Sequence, residues 1–332
     1  MLHPGKMGTA LDTNRSPASA HVQGWAAILS FALVVVTACA GVQPPIRADG
    51  SVFDYDSDLP LELAEDRRIS GTSTAVRHVT YPSPRGGDVS AMIFQPVQEP
   101  PRAGVILQHG MPGRKSDMAR TARTFACANA TAITIDAPFA RWETRFREPL
   151  TCTLQDRDEQ IQLIVDLRRT VDVLLTEIES GPIGYLGVSY GAAMGGLLAG
   201  IEHRIAAFAL VVGDGGLVAH FTDDEGRPLG PLSELSEDQA LEWLTAMGPV
   251  EPALFIGDAS APILLLNGRE DQLVTEADAN AYHQAAGPNH EVIWYDAGHG
   301  LNEEAWYEQV RWMGDRLQLD ADRVEACLET GG

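Results

Sequence analysis

The sequence predicts an α/β fold, a mostly parallel twisted sheet with helices on both faces and a small lid insertion. Three observations carry this. Short, continuously apolar stretches such as "AGVILQHG", "TAITIDA" and "APILLLNG" have the composition of strands buried on both sides. Segments with helical spacing of apolar residues alternate with them. The 332 residues give room for one large domain of this kind or two small ones, and the chain shows no internal repeat and no low-complexity tract.

Residues 1–39 read as a signal peptide rather than as part of the fold. Lys6 and Arg15 lie in a polar leader, and an apolar core runs from Trp25 to Val36, too short to cross a bilayer comfortably. It ends at Val36-Thr37-Ala38-Cys39. This resembles the lipobox of bacterial lipoproteins, in which the cysteine takes the lipid. The resemblance implies export and a membrane anchor at Cys39 in the cell envelope. The alternative is an ordinary cleaved signal and a secreted chain. Residues 40–70 are rich in Pro, Gly and acids and read as a tether and loosely packed lead-in.

The folded domain is expected over 71–332. "TAVRHVTY" and "DVSAMIFQP", joined by the turn-forming "PSPRGGD", read as an opening hairpin. The strand "AGVILQHG" is followed by the helical "SDMARTARTFACAN", and "TAITIDA" by the long amphipathic "DRDEQIQLIVDLRRTVDVLLTEIES", stopped by Gly181-Pro182. Next come strand "IGYLGVS", helix "YGAAMGGLLAGI" and strand "AAFALVVG". Residues 214–260 break the alternation and read as an insertion, a small lid holding one helix, "SEDQALEWLTAM". "APILLLNG", the helix "TEADANAYHQAAG", the strand "HEVIWYDAG" and the helix "NEEAWYEQVRWMGDRL" close the domain.

The net charge is −22. Such a field repels nucleic acid and polyanionic substrates and favours neutral or cationic small molecules; solubility alone would also account for it. With Cys39 set aside, Cys127, Cys152 and Cys327 allow one disulfide and one free thiol at most. No CxxC or His-rich pair suggests a metal site, and no cofactor is implied.

In an open parallel sheet the chemistry gathers at the carboxyl ends of the strands. There, Gly187-Val188-Ser189-Tyr190-Gly191 fits G-x-S-x-G between a buried strand and a helix, where a sharp elbow lifts the serine hydroxyl above the sheet. A serine needs a base, and a base needs an orienting carboxylate. Of nine histidines, His299 lies directly after the last predicted strand, between Gly298 and Gly300. Asp271 lies one short loop beyond "PILLLNG" and is the preferred acid; Asp214 and Glu270 are its rivals. An oxyanion needs two donors. The backbone N–H groups of Tyr190 and of Met111, in His109-Gly110-Met111-Pro112-Gly113, are the candidates, with His109 propping that loop. Phe139, Arg141 and Trp142 follow a strand end and are possible pocket residues; packing is the other reading, and the favoured one, for Phe139 and Trp142, and Arg141 fits a substrate carboxylate or a surface ion pair equally.

These motifs, in this order, resemble those of the α/β-hydrolase superfamily over roughly residues 74 to 320. The HG-x-P-G loop, the GxSxG elbow, the G-x-x-D turn at Gly268 to Asp271 and the Gly-His-Gly loop match in place. The opening hairpin and "IDAPFAR" look closest to dienelactone-hydrolase-like and prolyl-oligopeptidase-like serine esterases. The chain departs from true dienelactone hydrolases in having no nucleophilic cysteine, and from oligopeptidases in having no propeller, so no substrate transfers from either. The resemblance implies hydrolysis of a small-molecule carboxylic ester through an acyl-enzyme on Ser189, with His299 as base and Asp271 as acid. A serine peptidase, a thioesterase or a catalytically silent binding lipoprotein are the other readings.

Overall fold

A computed structural model describes residues 46–141, 148–223 and 225–330. The signal-peptide reading, Cys39 and Trp142 lie outside these residues. Nine strands form one sheet: β1 (Ala64–Ser70), β2 (Thr74–Pro82), β3 (Asp88–Pro96), β4 (Ala103–Gln108), β5 (Ala130–Ile135), β6 (Ile183–Val188), β7 (Ile205–Val211), β8 (Ile263–Gly268) and β9 (His290–Tyr295). Their order is β1-β2-β3-β5-β4-β6-β7-β8-β9. The first three strands and the β3–β5 contact are antiparallel, and every pairing from β5 to β9 is parallel.

Among the described residues eight α-helices accompany them, the last two after β9: α1 (Ala119–Cys127), α2 (Leu154–Glu177), α3 (Tyr190–Ala199), α4 (Leu217–His220), α5 (Glu237–Met247), α6 (Glu276–Ala285), α7 (Glu303–Arg316) and α8 (Ala321–Thr330). Successive residues of a strand feed opposite cores. On β4, Ile106 joins the core built with Ile164 and Leu167 of α2 and Leu197 of α3, while Val105 and Leu107 join the core built with Phe125 of α1, Met313 of α7 and Val324 of α8. Burial on both faces is why the central strands are apolar without alternation.

The lead-in is less loose than its composition predicts. Phe53 is fully buried, and Ala64–Ser70 adds an edge strand although every residue in it is exposed. It is held by its backbone ladder to β2 and by Arg77, which bonds Glu65 at 2.8 Å. At the other end, α8 extends the chain past the helix expected to close it. Cys327 of α8 is disulfide-bonded to Cys127 at the end of α1, and Cys152 is free. The bond closes a loop of about 200 residues and ties down a last helix that is also held by its apolar face and by Arg323, which donates to the Cys127 carbonyl at 2.8 Å. Among the described residues no helix is long and apolar enough to cross a membrane, and no group of His, Cys, Asp or Glu is arranged to hold a metal ion.

Candidate active site

The elbow forms because β6 and α3 meet with no room for side chains. A Cβ on Gly187 would fall 2.2 Å from the Gly191 carbonyl oxygen. Ser189 takes φ 54° and ψ −118°, a left-handed conformation that costs a non-glycine residue on the order of 1–3 kcal/mol. Its surroundings hold it there. The Ser189 N–H donates to the Val211 carbonyl at 2.8 Å, the Ser189 carbonyl accepts from Ala192 and Ala193, and the buried Tyr185 hydroxyl donates to the Gly191 carbonyl at 2.7 Å.

Ser189, His299 and Asp271 come together from three strand ends. Ser189 Oγ lies 2.9 Å from His299 Nε2, and His299 Nδ1 lies 2.8 Å from Asp271 Oδ2. Asp271 is buried, and its Oδ1 accepts the Leu273 and Val274 N–H groups at 2.8 and 3.0 Å. With Nδ1–H donated to Asp271, Nε2 turns its lone pair to the serine proton. Of the rival acids, Glu270 is exposed on the surface. Asp214 is engaged by a different histidine: its Oδ2 lies 2.7 Å from His220 Nδ1, and its Oδ1 accepts the Gly216 N–H.

The loop after β4 is pinned around a free amide. The Gly113 N–H donates to the Gly110 carbonyl at 2.9 Å, and the Lys115 N–H donates to Asp136 Oδ1 at 2.8 Å. Among the described residues, neither Met111 N–H nor Tyr190 N–H donates to a protein acceptor. His109 props this loop: Nδ1–H donates to the Gly110 carbonyl at 2.7 Å, and Nε2 accepts the Ala137 N–H at 3.1 Å. Burial lowers its pKa, in keeping with a neutral ring.

A cavity of about 240 Å³ opens beside Ser189 and His299. Met111, Tyr190, Ala193, Leu217, Phe221, Leu273 and Val274 line it, together with Asp214 and His220. Of the pocket residues expected from sequence, Phe139 and Arg141 are not among those that line it. Phe139 is buried with its ring edge-on to His109 and to Tyr190, each 5.7 Å away between centroids. Arg141 is drawn inward instead, 2.7 Å from the fully buried Asp166, and donates to the Asp136 carbonyl. The ion pair ties the guanidinium to α2.

Of the insertion 214–260, the first residues, 214–221, help to line the cavity, whereas its helix α5 is anchored to the body: Trp243 is buried and donates to Asp156 Oδ2 at 2.8 Å. The sequence reading missed His220 and its support, Glu251. Glu251 is buried and accepts the N–H groups of Val218 and Ala219 at the start of α4. The signal available was an aspartate and a histidine six apart just past a strand end, Asp214 and His220.

Two buried groups near this wall predict a pH dependence of stability. Burial pushes the Glu251 carboxyl up to about 8, against the pull of the two N–H donors. Its neutral form contributes stability that is fully present below its ordinary value and is lost as pH rises through about 8. His283, whose Nε2 is 2.9 Å from Asn267 Oδ1, is lowered to about 4 by burial. Its contribution is present above the ordinary imidazole range and lost as pH falls through about 4. The two slopes oppose one another in the acid range; above about pH 6.5 the loss at Glu251 is joined by one at His220, which its hydrogen bond to Asp214 holds above the ordinary imidazole value. Thermal midpoints of the wild type should therefore fall between pH 6.5 and 8, and Glu251→Gln should flatten that fall. Parallel curves for the two proteins would refute the assignment.

No protein-family model matches the sequence, and no curated protein is significantly similar to it. Solved structures are similar in fold. Acetyl xylan esterase 1 from Thermoanaerobacterium sp. JW/SL YS485 superposes with a TM-score of 0.67 at 13% identity, covering 83% of this chain and 95% of that one. An acetyl xylan esterase from Paenibacillus sp. R4 gives 0.61 at 16% identity, over 77% and 89% of the two chains. Est1E from Butyrivibrio proteoclasticus, solved with ferulic acid bound, gives 0.55 at 15% identity, over 70% and 96%. The chain has the α/β-hydrolase fold.

Proposed function

We propose that the protein is a serine hydrolase of small carboxylic esters. The observation that carries this is the unbroken line from Asp271 through His299 to Ser189 at the mouth of a cavity, with two unpaired amides flanking the serine. In this reading His299 Nε2 takes the Ser189 proton as Oγ attacks the carbonyl carbon. The tetrahedral oxyanion is held by the Met111 and Tyr190 N–H groups. His299 returns the proton to the leaving alcohol, and water repeats the sequence on the acyl-enzyme.

The esterase names of the similar structures favour an ester over a peptide or thioester. The volume of the cavity favours a short group on the side of the ester that enters it. The Cys127–Cys327 disulfide supports an exported chain, and we carry the lipid anchor at Cys39 as part of the proposal.

The test is hydrolysis of nitrophenyl esters graded from acetyl to long acyl by protein starting at about Val42, with a peptide anilide and a thioester alongside. The expected result is rapid cleavage of the short esters, and stoichiometric labelling of Ser189 by a fluorophosphonate. Folded protein that cleaves none of the esters and resists the phosphonate would overturn the reading. Preferential cleavage of the anilide or the thioester would move the substrate class.

A further inference from the structure

The wall made by residues 214–220 carries more construction than a lining requires. His220 faces the same cavity as Ser189 and His299, and the remaining wall includes Ala193, Leu217, Phe221 and Leu273. Its Nδ1 is tied to the buried Asp214 at 2.7 Å. Its ring is packed edge-on against Phe221, with centroids 4.7 Å apart. Among the described residues no protein group hydrogen-bonds its Nε2. The short helix that ends in His220 is held at its start by Glu251, whose carboxyl takes the Val218 and Ala219 N–H groups.

The turn into that helix is made by Gly216 at φ 120°, where a Cβ would fall 2.4 Å from Pro252 Cδ and 2.6 Å from Glu251 Oε1. Two buried carboxyl groups and a glycine that admits no substitute thus fix one imidazole. The nitrogen left over is its Nε2, on a residue that lines an otherwise largely apolar cavity.

We propose that His220 is a specificity-determining residue that binds a hydroxyl group of the substrate through Nε2, with Asp214 and Glu251 as positioning residues. The chemistry of the pair selects the hydroxyl. When His220 is neutral, Nδ1–H is donated to Asp214, and Nε2 accepts from a hydroxyl. When it is protonated, Nε2–H donates to the hydroxyl oxygen. A hydroxyl satisfies both states. A carboxylate is taken only by the protonated ring, and beside it stand Asp214 and, through His299, Asp271, in a chain of net charge −22. An alkyl group in the same place would leave the imidazole nitrogen desolvated and unpaired, which costs more than a hydrogen bond returns.

The inference rests on the ester-hydrolase reading and names the substrate of that same site. It is tested with ester pairs that differ by one hydroxyl. Lactyl and propionyl nitrophenyl esters place the hydroxyl on the acyl side; 2-hydroxyethyl and ethyl acetates place it on the alcohol side. The wild type should favour the hydroxylated member of at least one pair by about 10-fold in kcat/KM. His220→Phe should bring that ratio to near one, and His220→Gln, which keeps a polar end at the site, should restore part of it. Because the wild-type ratio is read first, a variant that fails to fold does not remove the test. Ratios near one for both pairs in the wild type, or a preference that His220→Phe leaves intact, would overturn the proposal. Neither result touches the ester-hydrolase reading, whose failure would show instead as no cleavage of any member of either pair.

Discussion

Replacing Ser189 by Ala is expected to lower kcat/KM for a short nitrophenyl ester by at least ~10⁴. Ala removes the oxygen that lies 2.9 Å from His299 Nε2 and puts nothing in its place. The fold should survive the change. The φ of 54° at this position is enforced by backbone bonds to Val211, Ala192 and Ala193, none of which involves the side chain. The thermal midpoint should stay within a few degrees of wild type, so loss of turnover would report chemistry rather than unfolding. The residues of such a line act as a unit, so their losses do not add. Ser189→Ala combined with His299→Ala should therefore be scarcely worse than Ser189→Ala alone. The decisive readings are steady-state rates and the nitrophenolate burst, which needs an acyl-enzyme and should vanish with Oγ. Near wild-type turnover in Ser189→Ala would remove the serine from the chemistry.

How much of this was legible beforehand follows from what each element depends on. The central strands are readable because burial on both faces makes them continuously apolar, and the elbow is readable because its glycines are demanded by contacts under 3 Å. Strand β1 was not: Ala64-Glu65-Asp66-Arg67-Arg68-Ile69-Ser70 is exposed throughout, so it carries no apolar pattern and exists through its backbone pairing with β2. Arg141 stayed open between a pocket and an ion pair because its position past a strand end is real, while its partner, Asp166, lies in the middle of α2 and becomes a neighbour only in the folded chain. His220 shows the same limit from the other side. Its partner Asp214 is close in sequence, but the supporting Glu251 is more than thirty residues away, and nothing in the linear order says that the two meet.

That pairing turns a choice between two acids into a measurement. Asp271→Asn is expected to cost on the order of 10⁴ in kcat/KM. Asn keeps the size of the side chain, and its carbonyl oxygen can still take the Leu273 and Val274 N–H groups now taken by Oδ1. The amide nitrogen then faces His299 Nδ1, where the carboxylate oxygen stood at 2.8 Å. Two donors cannot face each other, so the imidazole presents its lone pair at Nδ1 and carries its proton at Nε2, towards Ser189. A ring in that tautomer cannot accept the serine proton, and the imidazolium formed in the transition state loses its counter-charge. Asp214→Asn applies the same exchange to a histidine that does not touch Ser189. Its cost on an unhydroxylated acetyl ester should stay below about 10-fold, because what it disturbs is the orientation of His220 in the cavity wall. The ratio between the two losses, rather than either alone, assigns the acid: a ratio near 10³ or above places the orienting charge at Asp271. A larger loss in Asp214→Asn would mean that the carboxylate after β7 governs the base, and the hydrogen bond between Asp271 and His299 would then be a structural contact.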